Sequence, residues 1–166
     1  MENKRHISIL SEKKLVDSLL KNSLVFATAE SCTGGLVAKR VTDISGSSAV
    51  FSGGVVTYSN EMKMKLLGVK EETLREHGAV SHETAYEMAK GLLALTGADV
   101  GVSLTGIAGP GGGSNEKPVG LVYVGINFSG KIRTYKLLLG EYGTRAKIRR
   151  AAADFALKKV LETVNG

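Results

Sequence analysis

Apolar residues Leu15, Val16, Leu19 and Leu20 recur three and four positions apart, and this period predicts an amphipathic helix over residues 11–21 with Ser11 at its N-cap. Residues 24–28 form a short apolar run and predict a buried strand. Gly34 and Gly35 then lead into residues 36–42, which return to a helical period. Residues 50–58 are rich in β-formers apart from Gly53 and Gly54. Asn60 is placed to cap a helix running to Leu67 and closed by Gly68. A further helix starts at Ser81 or His82 and runs to about Leu95, and residues 99–104 read as a second buried strand. Residues 119–128 and 131–139 predict a hairpin turning at Ser129 and Gly130, before a long closing helix over residues 144–164.

Strands alternate with helices first, and two strands pair at the end. This order predicts an α/β fold, a three-layer α/β/α sandwich on a mixed β-sheet. In such sheets, sites form at the carboxyl ends of the strands. Three segments fall there: residues 30–35, 58–63 and 105–117. They bring the chain's unusual residues to one place.

Composition narrows the class. At 166 residues the chain is expected to be one domain, residues 1–166. A chain of this size buries about two-thirds of its unfolded surface, enough for a core without disulfides or metal. Cys32 is the one cysteine, so no intrachain disulfide can form, which suits a reducing compartment. The first fourteen residues are mixed and charged, unlike a signal peptide or a membrane span, so a cytoplasmic protein is expected. The net charge is +6, but aromatic residues make up only 5% and there is no Trp. Basic residues without interleaved aromatics argue against nucleic acid and favour an anionic small molecule.

Ser31 follows the first predicted strand and precedes a helix. A hydroxyl there faces the crevice and lies near helix N–H groups that can stabilise an oxyanion. Ser31 or Thr33 as a plain helix cap fits the same pattern. The segment is not the G-x-S-x-G elbow of α/β-hydrolases. Cys32 is a rival nucleophile, since a thiol at a helix start can have a depressed pKa, but a lone buried cysteine is more often packing than chemistry. The three histidines, His6, His77 and His82, are not spaced to pair with either residue. A lysine is the other source of a base. Lys63 shares a helix face with Leu66 and Leu67, and a desolvated lysine can deprotonate a serine, as in Ser–Lys variants of the catalytic triad. Lys63 reaching solvent, or pairing with Glu61 or Glu30, is the alternative; Lys65 reads as surface.

Residues 105–117, T-G-I-A-G-P-G-G-G-S-N-E-K, follow a strand and suit a loop that cradles phosphate. No Gly-Lys-Ser/Thr closes it, and no helix follows to make a dinucleotide fingerprint, so it is equally open to being a surface loop. A ligand in the crevice would meet Glu30, Thr33 and Gly34 on one side. On the other it would meet Gly109, Gly111, Gly112 and Ser114. Arg145 is placed to hold an anion bidentately, or to stand in solvent. No metal and no cofactor is called for.

Together these segments resemble the CinA C-terminal domain family, also called nicotinamide-nucleotide amidohydrolases. The resemblance is carried by A-E-S-C-T-G-G (29–35), D-I-S-G-S-S-A-V-F (43–51), G-G-V-V-T-Y-S-N-E-M-K (53–63), L-L-G-V (66–69), H-G-A-V-S (77–81) and T-G-I-A-G-P-G-G-G-S-N-E-K-P-V-G (105–120). It implies hydrolysis of nicotinamide mononucleotide to nicotinate mononucleotide and ammonia. It further implies a catalytic Ser–Lys pair, which falls on Ser31 and Lys63, with Tyr58 and Thr105 as supporting residues and Arg145 in contact with substrate. Here E-Y-G-T-R stands where G-D-R is usual in the family. Some members carry an additional N-terminal domain, which this chain is expected to lack. A homodimer or higher homo-oligomer is expected from exposed strand edges, with no nucleic-acid or membrane partner. The competing class is a non-catalytic module that binds a pyridine nucleotide or docks a partner.

Overall fold

The computed structural model describes the backbone of residues 2–166 and the side chains of residues 11–166. His6 therefore lies outside the described side chains. Five strands build one sheet: β1 (Phe26–Glu30), β2 (Phe51–Val56), β3 (Val100–Gly106), β4 (Leu121–Phe128) and β5 (Lys131–Leu138). Their order is β2-β1-β3-β4-β5, with β1 parallel to β2 and β3, and β4 antiparallel to both β3 and β5. This is the expected mixed sheet. All five residues of β1 are buried, as a central parallel strand requires, whereas edge strand β5 alternates exposed and half-buried positions along most of its length.

Helices cover both faces. On one lie α1 (Glu2–Lys21), α2 (Leu36–Thr42) and α6 (Arg145–Asn165), closing a core that includes Leu15, Leu19, Val37, Val102, Ile148 and Leu157. On the other lie α3 (Asn60–Leu67), α4 (Glu71–His77) and α5 (His82–Thr96), packed over Ala27 and Ala29 through Leu67, Met88 and Leu92. The small side chains of β1 leave room for α5, and Gly91 lets α5 approach the end of α3. A Cβ at Gly91 would lie 1.8 Å from the Leu67 carbonyl oxygen, so any side chain there would push α3 away.

Several sequence-based boundaries move. Helix α1 begins at Glu2, and Ser11 lies inside it rather than capping it. No Gly or Pro interrupts residues 2–10, so nothing stops the helix at a serine. The N-cap of α3 is Ser59, not Asn60: Ser59 is extended and its hydroxyl accepts the Met62 N–H at 3.2 Å. Strand β1 starts later than expected and runs through Ala29 and Glu30, which pair with both neighbouring strands. Helix α4 was not expected, because its seven residues offer too few apolar positions to show a period. The other elements match closely. Thr144 and Ser81 cap α6 and α5, and Gly68 closes α3 with φ 64°.

Candidate active site

The carboxyl ends of the three parallel strands lie side by side, and each hands one segment to a common cleft. From β1 the chain enters a tight turn carrying Ser31 and Cys32. From β2 it passes Thr57 and Tyr58 into α3, whose first turn carries Lys63. From β3 it continues through Thr105 and Gly106 into the glycine-rich loop. The cleft holds about 200 Å³ and is lined by these residues together with Asn60, Val80 and Arg145.

Ser31 and Lys63 meet at its floor. Lys63 Nζ lies 3.0 Å from Ser31 Oγ, 2.9 Å from the Thr57 carbonyl oxygen and 3.4 Å from that of Tyr58. Lys63 is 1% exposed, and none of the described ion pairs includes its ammonium. Burial lowers its pKa below the ordinary lysine value, with the nearby Cys32 thiol a smaller opposing influence. A neutral amine has two N–H donors and one lone pair. With two carbonyls taking the donors, the lone pair is left for the serine hydroxyl. The alternative partners are not used: neither Glu61 nor Glu30 bonds to Lys63.

The Glu30 carboxyl is fully buried and accepts the N–H groups of Gly35, Val37 and Ala38 at 3.0, 3.1 and 2.9 Å. It caps α2, whose N-terminus has no side-chain cap of its own. The expectation that Glu30 touches substrate is therefore corrected, since both its oxygens face helix amides. Thr33 is likewise wholly buried, and its hydroxyl is not a cleft group.

The turn itself is pinned at several points. The Ser31 N–H donates to the Leu104 carbonyl at 2.9 Å, and the Gly34 N–H donates to the Ser31 carbonyl at 3.1 Å. Among the described residues, no other residue is bonded to the N–H of Cys32. That amide adjoins Ser31 in a residue that lines the cleft, whereas Thr33 is buried away from it, so the Cys32 N–H is the donor available to an oxyanion there. Burial pushes the Cys32 thiol up to about 12, so it is a packed side chain and not a thiolate.

Thr105 lines the cleft, but its hydroxyl donates to the Ala79 carbonyl at 2.7 Å. Its single proton holds the 79–80 segment against the site, so an oxyanion role for that hydroxyl is not available in this arrangement. At the mouth, Arg145 donates to the Gly109 carbonyl at 2.8 Å and to the Tyr58 hydroxyl at 2.9 Å. Arg145 thereby links α6, the glycine loop and the β2–α3 segment. Gly109 enters the site through this carbonyl. Gly34 is exposed beside the turn, while Gly111, Gly112 and Ser114 stand in solvent away from the cleft. The Ser114 hydroxyl accepts the Lys117 N–H at 3.0 Å, a local turn. A wider depression of about 320 Å³ lies between α4, α5 and β5 and contains His77 and His82. His82 contacts Thr134 at 2.8 Å there, so neither described histidine serves Ser31.

Two residues escaped sequence reading. Asn60 lines the cleft, although its sequence signal was spent on a cap. Arg149 donates through Nε to the Cys32 carbonyl at 3.1 Å and through Nη2 to the Thr33 carbonyl at 2.7 Å. Its only trace in the sequence is a place one helical turn after Arg145.

The fold and cleft define an α/β protein with a buried serine–lysine pair at the ends of parallel strands. The CinA C-terminal domain model matches residues 10–164, and the chain belongs to that family. It is 56% identical over 146 residues to a CinA-like protein of Kosmotoga olearia, covering 88% of this chain and 35% of that protein. To a CinA-like protein of Chloroherpeton thalassium it is 51% identical over 156 residues, covering 93% of this chain and 37% of that one. The chain thus spans about a third of the length of the curated relatives it matches. Among solved structures, the competence/damage inducible protein CihA from Agrobacterium tumefaciens superposes with a TM-score of 0.92 at 43% identity, covering 96% of each chain. The competence-damaged protein (CinA) superfamily protein from Enterobacter cloacae superposes with a TM-score of 0.90 at 31% identity, covering 95% of this chain and 92% of that one. No helix among the described residues is long and apolar enough to cross a membrane.

Proposed function

We propose that this chain is an amidohydrolase that converts nicotinamide mononucleotide and water to nicotinate mononucleotide and ammonia, with Ser31 as nucleophile and Lys63 as its base. The observation that carries this reading is the 3.0 Å approach of the buried Lys63 amine to the Ser31 hydroxyl. Lys63 takes the hydroxyl proton as Ser31 Oγ attacks the carboxamide carbon. The Cys32 N–H receives the oxyanion. Lys63 then returns its proton to the departing nitrogen, the C–N bond breaks and ammonia leaves. Water, deprotonated by the same amine, hydrolyses the Ser31 ester and regenerates the hydroxyl. The exposed cation of Arg145 at the mouth suits the phosphate end of the substrate, with the carboxamide at the floor.

Ammonia release by the purified protein tests the reading. Ser31→Ala and Lys63→Ala should each lower turnover by about 10⁴-fold or more, the scale on which loss of a nucleophile or its base acts. Wild-type turnover by Ser31→Ala would sink the scheme. Calorimetric binding of the nucleotide with no ammonia from the wild type would make the cleft a receptor instead.

A further inference from the structure

The oxyanion turn is built from peptide groups whose two ends are treated differently. In a trans peptide the C=O and the N–H point in opposite directions, so anchoring the carbonyl aims the amide. The peptide joining Ser31 to Cys32 has its carbonyl held by the Gly34 N–H at 3.1 Å. The peptide joining Cys32 to Thr33 has its carbonyl held by Arg149 Nε at 3.1 Å. The next peptide has its carbonyl held by Arg149 Nη2 at 2.7 Å and by the Leu36 N–H at 3.2 Å. Thus one guanidinium edge fixes the two peptide planes that follow the one carrying the Cys32 N–H.

The Thr33 carbonyl shares Arg149 with the Leu36 N–H, but among the described residues no shorter-range group holds the Cys32 carbonyl. Residues 32–35 form a turn and not yet a helix, so the Cys32 carbonyl lacks the regular helical partner that would hold it. Arg149 reaches it from α6, 117 residues further along the chain. Gly34 carries the turn through a left-handed φ of +59°, which favours glycine there. Arg145 and Arg149 are four residues apart on α6, so one helix face places one cation across the mouth and another behind the nucleophile turn. A cationic donor on the Thr33 carbonyl also polarises that peptide and strengthens its Gly34 N–H, which donates to the Ser31 carbonyl.

We infer that Arg149 is a positioning residue of the active site: its planar fork holds the Cys32 and Thr33 carbonyls, and through the Gly34 N–H the Ser31 carbonyl, so that the Cys32 amide stays aimed at the oxyanion formed on Ser31. This inference rests on the reading of Ser31 as nucleophile. Arg149 touches no reacting atom, and its effect is to hold the turn whose amide does. A lysine supplies a charge but not two parallel donors, so charge and fork can be separated.

The test uses Arg149→Lys and Arg149→Gln, with Arg150→Gln on the exposed side of α6 as a control for lost surface charge. Two rates are read: ammonia release from nicotinamide mononucleotide, and phosphonylation of Ser31 by a fluorophosphonate, which needs the nucleophile and oxyanion donors but no nucleotide. Both Arg149 variants are expected to lose about 10- to 100-fold in kcat and in phosphonylation rate, the scale of a misplaced catalytic group, with KM little changed. Arg150→Gln should match wild type. A small guanidinium ion added below denaturing concentration should partly restore an Arg149→Ala variant. Melting curves establish that each variant is folded. If Arg149→Gln does not fold, Arg149→Lys, which keeps the stem and the charge, decides alone. Wild-type rates in a folded Arg149→Lys or Arg149→Gln would overturn the inference. Failure of the wild type to release ammonia while Ser31 is still phosphonylated would overturn the substrate, not the role of Arg149. A wild-type Ser31 that is not phosphonylated at all would overturn both.

Discussion

Lys63 and Ser31 are brought within 3.0 Å by two different strand ends. Among the described residues, two backbone carbonyls and a hydroxyl are the hydrogen-bond partners of the lysine, and no carboxylate pairs with it. Burial of the amine disfavours its ammonium form and lowers its pKa.

A base of this kind sets the direction of the pH dependence. Lys63 works only when neutral, so kcat/KM should rise with pH through its lowered pKa and level off above it. The rise should lie below 10.5, the ordinary lysine value. A rise centred at or above 10.5 would remove Lys63 as the base. Stability should follow with the same sign. Between the lowered folded pKa and 10.5, the unfolded chain holds one more proton than the folded one. Stability linked to this group is full above 10.5 and is lost as pH falls through that window. Urea midpoints of wild type should therefore climb with pH more steeply than those of Lys63→Met.

Cys32 sits next to the nucleophile yet should be chemically quiet. Its pKa of about 12 is set first by burial, against the weaker pull of Lys63 and Arg149. Iodoacetamide near pH 8 should modify the native protein far more slowly than a free thiol, and urea should restore the rate. Cys32→Ala should keep ammonia release close to wild type at a cost of about 1 kcal/mol in stability. Alkylation at the rate of free cysteine would contradict the burial.

Glu30 holds α2 and not substrate. Glu30→Ala strands three helix amides in the interior and should cost about 3 kcal/mol, seen in urea denaturation. The nucleotide KM of the protein that remains folded should stay near wild type. A raised KM with undiminished stability would return Glu30 to the substrate.

Much of the fold was legible because its signals are local. The helix over Leu36–Thr42, the glycine closing α3 and the hairpin at Ser129–Gly130 need only neighbouring residues to specify them. Helix α4 was missed for the same reason, being too short to show a period. Around the cleft, Ser31, Lys63 and Arg145 could be singled out because each lies in or just before the first turn after a strand or loop. Glu30, Thr33 and Ser114 were misread because strand ends and glycine loops mark a neighbourhood without saying where side chains point.

The sequence by itself determined the order and type of most elements, and that three chemically unusual segments follow three strands. Periodicity, caps and glycine turns act over a few residues, so they can be read in order along the chain. Only the tertiary structure decided what those segments do to one another. The parallel register of β1 with β2 and β3 sets Ser31 against Lys63. The packing of the strand ends around Lys63 buries the amine. Arg149, 116 residues beyond Thr33, closes the turn from behind. Desolvation and the direction of a peptide N–H depend on atoms far apart in the chain, and those were settled when the layers packed.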